Sequence, residues 1–298
     1  MNEEKQIFGG LSKLPLDKRD FSLGGVFGQF DLPPDIDFTV STPLKIKDQG
    51  RSDDRCTAYA LCAVSEDQEG VELNPDYTFA KTKQIMGEFE SWGADLRAAL
   101  KSAVISKGYG FIKQMTFNDD LSIETKLKNL RDWNNWPAYL DELAKVNAKQ
   151  SFFFIKTFGY RDIFDAIRAS LYHFRNKNQS IITGLIWCSE WTRSKDGVIR
   201  KIGTPSFGHA FKIYGQRMIH GEPFLIAQLS NGDIGDNGIF YMSREVVNAV
   251  EDFGAGMLVD LSREHAETLI KHDWTVNLLW LAKFLVVLKK YFKEIFIK

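Results

Sequence analysis

Cysteine is scarce in this chain. Its 298 residues include three cysteines, Cys56, Cys62 and Cys188. An odd and low number excludes a disulfide framework and indicates a reducing compartment or a fold that needs no bridges. Residues 1–6 are polar and provide no apolar core of the length that a signal peptide needs. We therefore expect a cytoplasmic protein.

Charge of one sign is also lacking. The formal net charge is −1 at pH 7, and no basic stripe runs through the part expected to fold. Nucleic acid is therefore not an expected partner. Hydrophobic residues make up 44% of the chain and charged residues 26%, as in an ordinary soluble globular protein. The length allows one large domain or two lobes around a cleft.

Long apolar runs are missing too, except near the end. Residues 276–288 are apolar apart from Asn277 and Lys283, and four lysines follow them. A spanning helix needs about 20 apolar residues, so this run is too short to cross a membrane. It predicts that residues 263–298 hold a basic amphipathic helix, which would lie either on a membrane surface or against protein. The two alternatives stay equally open.

The pattern of apolar residues divides the rest of the chain. Residues 1–36, rich in glycine, proline and aspartate, predict an extended strap or a short leader. Residues 37–262 predict an α+β domain, helical in front and rich in strands behind. Its helices are expected near residues 55–64, 75–85, 94–106 and 160–174. Its strands are expected at residues 151–156, 180–187, 209–214, 224–229 and 238–242.

Cys56 is the candidate nucleophile. A thiolate is the reactive form of cysteine, and a helix N-terminus or a neighbouring imidazolium lowers the pKa of a thiol. Residues 52–54 include plausible capping side chains, so the sulfur of Cys56 would lie in the first turn of a helix. The alternative is a small buried residue of an amphipathic helix. Cys62 and Cys188 have no motif around them and are expected to be structural.

Gln49 and His209 complete the candidate machinery. The side-chain amide of Gln49 and the N–H of Cys56 could hold the oxyanion that forms when a sulfur attacks a carbonyl. His209 follows Gly208 and opens an apolar strand, so its ring could project into a cleft and act as a base. The alternatives are a surface turn around Gln49 and a hydrogen-bonded histidine at a strand end.

These segments resemble the papain-like cysteine peptidases over roughly residues 36–250. Asp48-Gln49-Gly50 is similar to the family's oxyanion-hole segment, and Cys56-Thr57-Ala58 to the bacterial form of its nucleophile motif. Gly208-His209-Ala210 resembles the base motif, and residues 235–240 resemble the segment that closes the catalytic region. The resemblance implies a two-lobed fold. A helical N-terminal lobe would face an antiparallel β-barrel-like C-terminal lobe, with the active site in the cleft.

The resemblance is uneven around the residue that should orient the histidine. The family's Asn-Ser-Trp-Gly appears here as Leu229-Ser230-Asn231-Gly232, so an alignment without gaps puts leucine in the asparagine's place. A slip of two residues puts Asn231 there, and Gln228 is another candidate. We take Asn231 as the expected orienter, which sets the orientation and tautomer of the ring. Gln49 also lies seven residues before Cys56, where the family usually has six.

The resemblance implies a cysteine endopeptidase or exopeptidase, with no cofactor or metal, that acts on a peptide or protein substrate. His209 would hold Cys56 as a thiolate, and water would hydrolyse the acyl-enzyme. Gly93 resembles the glycine stretch that pairs with extended substrate backbone, although a helix N-terminal turn would also fit. Leu229 keeps a second reading open, a catalytically weak or inactive module that binds peptide. A third is acyl transfer to an acceptor other than water.

Overall fold

The computed structural model describes residues 10–12, 17, 20, 22–42, 44–50, 53–89, 91–107, 109–114, 138–157 and 159–259. The predicted C-terminal helix, residues 263–298, lies outside the described residues. The predicted strap, residues 1–36, is described in part. In the described part of the chain, no helix is both long enough and apolar enough to cross a membrane.

Helices make up most of the regular structure before residue 150. They are α1 (Leu23–Phe27), α2 (Cys56–Glu69), α3 (Pro75–Met86), α4 (Leu96–Ser102) and α5 (Tyr139–Lys145), followed later by α6 (Ile163–His173) and α7 (Arg244–Asn248). α3 and α4 begin after side-chain caps. Asn74 accepts the N–H of Tyr77, and Asp95 accepts the N–H of Ala98. Each cap satisfies an N–H that has no partner inside the helix.

The strands form one sheet. They are β1 (Phe38–Thr39), β2 (Ser151–Ile155), β3 (Ile181–Cys188), β4 (Val198–Ile199), β5 (Pro205–Ile219), β6 (Glu222–Gln228), β7 (Ile239–Met242) and β8 (Ala255–Val259). The order is β2–β8–β3–β5–β6–β7–β4, and β1 pairs with β5. Every pairing is antiparallel except β4 with β7.

The α+β class expected from the sequence is confirmed, but the sheet is open. Its two outer strands, β2 and β4, are not paired with each other among the described residues. A barrel requires the first and last strands to close on each other, and β4 has only two residues with which to do so. The barrel-like lobe expected from the resemblance is therefore corrected to an open, mostly antiparallel sheet.

Two hydrophobic clusters lie against this sheet. The larger contains Leu185, Trp187 and Phe211, from β3 and β5, together with residues of α6. The smaller contains Ala210 and Cys56, together with other residues of α2 and α4. Side chains alternate along a strand, so neighbouring residues of β5 serve different clusters. β5 therefore separates the helical packing around Cys56 from the larger cluster.

A buried ion pair joins α2 to β5. The ammonium group of Lys212 lies 2.9 Å from a carboxylate oxygen of Asp67, and both side chains are 1% exposed. The hydroxyl of Ser180 donates to the other carboxylate oxygen at 2.6 Å. Both charges are therefore paired and hydrogen-bonded in a place that water does not reach. The pair fixes the position of the helix that begins at Cys56 relative to the strand that carries His209.

Candidate active site

Cys56 is the first residue of α2, so the expected place at a helix N-terminus agrees with the structure. Of the predicted caps at residues 52–54, Asp53 and Asp54 do not cap the helix, and residue 52 lies outside the described residues. Arg55 occupies the capping position without a side-chain hydrogen bond to the helix. Asp53 accepts the N–H of Arg55 at 2.9 Å, and the carboxylate of Asp54 accepts the N–H of Gly93 at 2.8 Å. These carboxylates therefore order the loop before α2 and bind it to the segment at Gly93, which precedes α4.

The sulfur of Cys56 is completely buried. It accepts two backbone N–H groups, from Gly10 at 3.3 Å and from Ala210 at 3.4 Å. Burial raises the pKa of the thiol, and the charge of Asp54 acts in the same direction, while the two N–H donors lower it. Burial has the largest effect, because a thiolate loses most when it is removed from water. In this arrangement Cys56 is a neutral thiol.

His209 lies on β5, directly opposite Leu185 of β3. Its ring contacts the rings of Trp187 and Phe207, with centroids 5.8 Å and 6.1 Å away. Neither ring nitrogen has a hydrogen-bond partner among the described residues. Burial lowers the pKa of His209 to about 3. The structure thus brings the backbone beside His209 to the sulfur, through Ala210, and leaves the imidazole among aromatic side chains.

Gln49 lies in the loop before Cys56 and is buried. Its amide nitrogen donates to the carbonyl of Asp53 at 3.0 Å, and its amide oxygen accepts the hydroxyl of Ser230. The backbone N–H of Gln49 also donates to the carbonyl of Ser230, at 2.9 Å. The side chain is therefore held near the start of α2, with its donor group engaged by the loop itself.

Asn231 contacts the Gln49 loop. Its amide nitrogen donates to the carbonyl of Gly50 at 3.2 Å. Its amide oxygen has no hydrogen-bond partner in the described part of the chain, and the same is true of the amide oxygen of Gln228. Leu229 is 1% exposed and belongs to the larger hydrophobic cluster, as does Trp187, the neighbour of His209. Neither amide therefore makes a hydrogen bond to the ring of His209.

A piece of the predicted strap, residues 10–12, lies against the sulfur. Besides the bond from Gly10 to Cys56, the N–H of Leu11 donates to the carbonyl of Gly208 at 3.2 Å. On the other side, Ala94 donates to the carbonyl of Gly10 at 2.6 Å and accepts the N–H of Ser12 at 3.3 Å. An extended backbone thus runs between β5 and the start of α4, parallel to the segment at Ala94.

We call the space that holds residues 10–12, between β5 and the start of α4, the seat. Gly93, the residue expected to contact substrate, lies beside it. Its φ of 71° is in the left-handed region, and a Cβ there would lie 1.7 Å from the carbonyl oxygen of Gly10. Its N–H is bound by Asp54, and its carbonyl accepts the ammonium group of Lys83 at 2.5 Å. The segment that meets the strap is therefore held by hydrogen bonds on both sides of Gly93.

The role of residues 10–12 is not visible in the sequence pattern. Their sequence signal is a glycine pair followed by leucine, Gly9-Gly10-Leu11. Glycine pairs are common in irregular segments, so the pattern predicts a strap but gives it no place to lie. The described residues contain no group of three or more His, Cys, Asp or Glu side chains that could hold a metal ion. The site therefore offers a buried thiol beside an extended polypeptide, with the imidazole of His209 held apart among aromatic side chains.

Comparison with known proteins gives a fold. No family model matches the chain, and no curated protein matches it. The structure is similar to procathepsin B S9 from Trypanosoma congolense, with 15% identity and a TM-score of 0.56, over 84% of this chain and 86% of that one. It is also similar to digestive procathepsin L 3 of Tenebrio molitor, with 12% identity and a TM-score of 0.57, over 81% and 74%.

A third similar structure is the bromelain protease from Ananas comosus, solved in complex with the E64 inhibitor. It shares 13% identity with this chain at a TM-score of 0.52, over 73% of this chain and 94% of that one. These neighbours are papain-like cysteine proteases. At such identities the likeness shows a papain-like α+β fold.

Proposed function

We propose that this chain is a papain-like cysteine peptidase with Cys56 as nucleophile and His209 as base. The observation that carries the proposal is the seat of residues 10–12. An extended polypeptide lies with a backbone N–H on the sulfur of Cys56 and is hydrogen-bonded to both walls. A cleft that holds extended backbone against a thiol at a helix N-terminus suits nucleophilic attack on a peptide bond. The motif Cys56-Thr57-Ala58 favours the bacterial form of the family.

The reaction requires a change from the closed arrangement. When the strap leaves, water reaches Cys56 and the burial that keeps its thiol neutral is relieved. The ring of His209 also has to turn from the aromatic side chains of the larger cluster towards the sulfur, because neighbouring residues of β5 face opposite sides of the sheet. His209 then takes the thiol proton, and the sulfur bonds to the peptide carbonyl carbon. The C–N bond breaks, the amine leaves with the proton from His209, and water hydrolyses the thioester to a carboxylic acid and the free thiol.

Two side chains would support these steps. The amide of Gln49 would leave the carbonyl of Asp53 and donate to the oxyanion, together with the N–H of Cys56. Asn231 would orient His209 after its contact with Gly50 is exchanged for one with the ring. The same proposal includes a peptide or protein substrate and a cytoplasmic location, which the three free cysteines support.

The test is the mass of the intact protein after incubation with an irreversible epoxide inhibitor of papain-like peptidases. We expect one adduct per molecule, mapped to Cys56, after limited proteolysis has removed the strap. Cys56→Ala should carry none, and the matched variant Cys62→Ala should label like the wild type, because Cys62 is a buried thiol elsewhere on α2. Labelling that persists in Cys56→Ala, or no adduct on folded protein without its strap, would reject Cys56 as the activated thiol.

A second candidate function is a module that binds peptide without cleaving it. It is favoured by the ring of His209, whose nitrogens have no hydrogen-bond partner among the described residues, and by Leu229 in the larger cluster. Turnover of a peptide library by wild-type protein, absent in Cys56→Ala, would reject this alternative. Binding of the same peptides without turnover would support it.

A further inference from the structure

The seat beside Cys56 excludes every side chain at the position that meets the sulfur. A Cβ on Gly10 would lie 1.9 Å from the carbonyl oxygen of Asp54. That oxygen belongs to backbone, and the carboxylate of the same residue is bound to the N–H of Gly93. The loop therefore cannot yield without breaking the wall across the cleft. Glycine is the residue that fits at this position.

The next position of the seat is a closed apolar slot. Leu11 is 7% exposed and belongs to the smaller hydrophobic cluster with Ala210 and Ile182. A Cβ on Gly184 would lie 2.0 Å from a terminal methyl of Leu11, so the absence of a side chain at Gly184 forms the slot. A branched aliphatic side chain fills it and is removed from water, which favours binding.

The walls close on the backbone as tightly as on the side chain. A Cβ on Gly208 would lie 2.1 Å from the carbonyl oxygen of Leu11, and one on Gly93 would lie 1.7 Å from that of Gly10. Three glycines from separate parts of the chain, Gly93, Gly184 and Gly208, are thus required for residues 10–11 to lie this close to the surrounding backbone. Ser12, the next residue, is exposed, so among residues 10–12, the part of this stretch that the structure describes, the restriction covers two positions.

We propose that the cleft is selective for peptides with a glycine against the sulfur of Cys56 followed by a leucine-sized aliphatic residue, and that residues 10–11 are the chain's own copy of that pattern. The proposal deepens the peptidase function and rests on it for the identity of the cleft. The glycine requirement comes from backbone on both sides, and the aliphatic requirement from the slot at Gly184.

The first step of the test frees the seat in the full-length chain. In Gly10→Ala the added methyl group should expel the strap, and the rate of Cys56 alkylation by iodoacetamide should rise at least about tenfold, because the thiol becomes accessible. The matched control is Gly25→Ala, where a Cβ would meet nothing closer than 3.6 Å, and its rate should equal that of the wild type. Leu11→Ala, which empties the slot, is the second variant should Gly10→Ala fold poorly.

The second step measures selectivity in the variant whose seat is free. The peptide Gly-Gly-Leu-Ser-Lys should protect Cys56 from alkylation. Gly-Ala-Leu-Ser-Lys and Gly-Gly-Asp-Ser-Lys should need at least about tenfold higher concentrations, because one clashes with backbone and the other puts a charge in an apolar slot. Equal protection by the three peptides, or unchanged alkylation in both strap variants, would overturn the proposal.

Protection of a thiol requires that the peptide binds but does not require that it is cleaved. The outcome of this experiment is therefore separate from that of the peptidase test. Selective protection without cleavage would keep the glycine–aliphatic seat and reject the enzyme. Cleavage of peptides without this preference would do the reverse.

Discussion

The two members of the proposed catalytic pair, Cys56 and His209, differ in their hydrogen bonding. The sulfur of Cys56 accepts two backbone N–H groups, from the strap and from β5. Both ring nitrogens of His209, one residue before the donor on β5, are buried without a partner among the described residues. A buried polar group without a hydrogen bond costs about 1–3 kcal/mol. The fold thus holds the thiol through backbone and leaves the hydrogen-bonding capacity of the imidazole unused.

Burial drives both groups to their neutral forms. It raises the pKa of the Cys56 thiol and lowers that of His209 to about 3. A thiolate–imidazolium pair requires the opposite shifts, which come from mutual contact or from water. The closed structure therefore describes a resting state of the proposed enzyme, and the following predictions test how the thiol and imidazole ends depend on each other.

The largest effect on stability is expected at the ion pair that joins α2, which begins at Cys56, to β5, which carries His209. Lys212→Met leaves the buried carboxylate of Asp67 without its partner, so the free energy of unfolding should fall by about 3–5 kcal/mol. The change is read from urea unfolding followed by circular dichroism. The control is Lys145→Met, which removes an exposed pair with Glu142 and should cost less than about 1 kcal/mol. Equal small losses in both variants would mean that the α2–β5 pair does not hold the helix to the strand.

A smaller effect is expected from the imidazole end. The ordinary pKa of histidine is 6.5, and that of His209 in the folded chain is about 3. Between these pH values the unfolded chain binds the proton and the folded chain does not. The contribution of His209 to the free energy of unfolding is therefore at its maximum above pH 6.5. It falls as the pH drops from 6.5 towards 3, by about 1.4 kcal/mol per pH unit.

Replacing the ring tests this contribution. In His209→Leu the free energy of unfolding should depend less on pH between 6.5 and 4 than in the wild type, since one proton uptake is removed. His220 is exposed and has a φ of 52°, which asparagine tolerates, so His220→Asn is the matched control and should keep the wild-type slope. A slope in His209→Leu identical to the wild type would show that the buried ring does not resist protonation.

The smallest effect is expected in the wall that faces the strap. Asp95 follows Ala94 and caps α4 by accepting the N–H of Ala98 at 2.8 Å. Asp95→Ala should lower the free energy of unfolding by about 1 kcal/mol, while Asp95→Asn, which can still accept that N–H, should lose much less. Thermal unfolding of the two variants measures the difference. Equal losses would mean that the carboxylate acts there by charge and not as a cap.

Local patterns predicted much of the secondary structure. The helix expected from Pro75 ends one residue beyond the predicted Ile85, at Met86, and the strand expected at residues 151–156 is observed at Ser151–Ile155. These elements follow from apolar periodicity and capping residues, which act over a few positions. The start of α2 at Cys56 is explained less well. Of the caps predicted at residues 52–54, Asp53 and Asp54 bind Arg55 and Gly93 instead, and residue 52 lies outside the described residues.

The sequence pattern did not predict contacts between segments that are far apart in the chain. Residues 1–36 were predicted to form an extended strap or a short leader, yet nothing in their composition indicates that Gly10 binds the sulfur of Cys56, 46 residues along the chain. Asn231 was expected to orient His209, and its amide instead bonds to Gly50, 181 residues away. Such pairings depend on how elements dock, which single-residue preferences do not encode.

The sequence by itself determined the α+β class, the place of Cys56 near a helix start and of His209 on a strand, because helical and strand periodicities are local and strong. Only the tertiary structure decided that the sheet stays open, that residues 10–12 lie between β5 and the segment before α4, and that Gly93, Gly184 and Gly208 leave room for them. The physical reason is close approach. A glycine is required where another backbone comes within contact distance, and that neighbour is known only when the chain has folded.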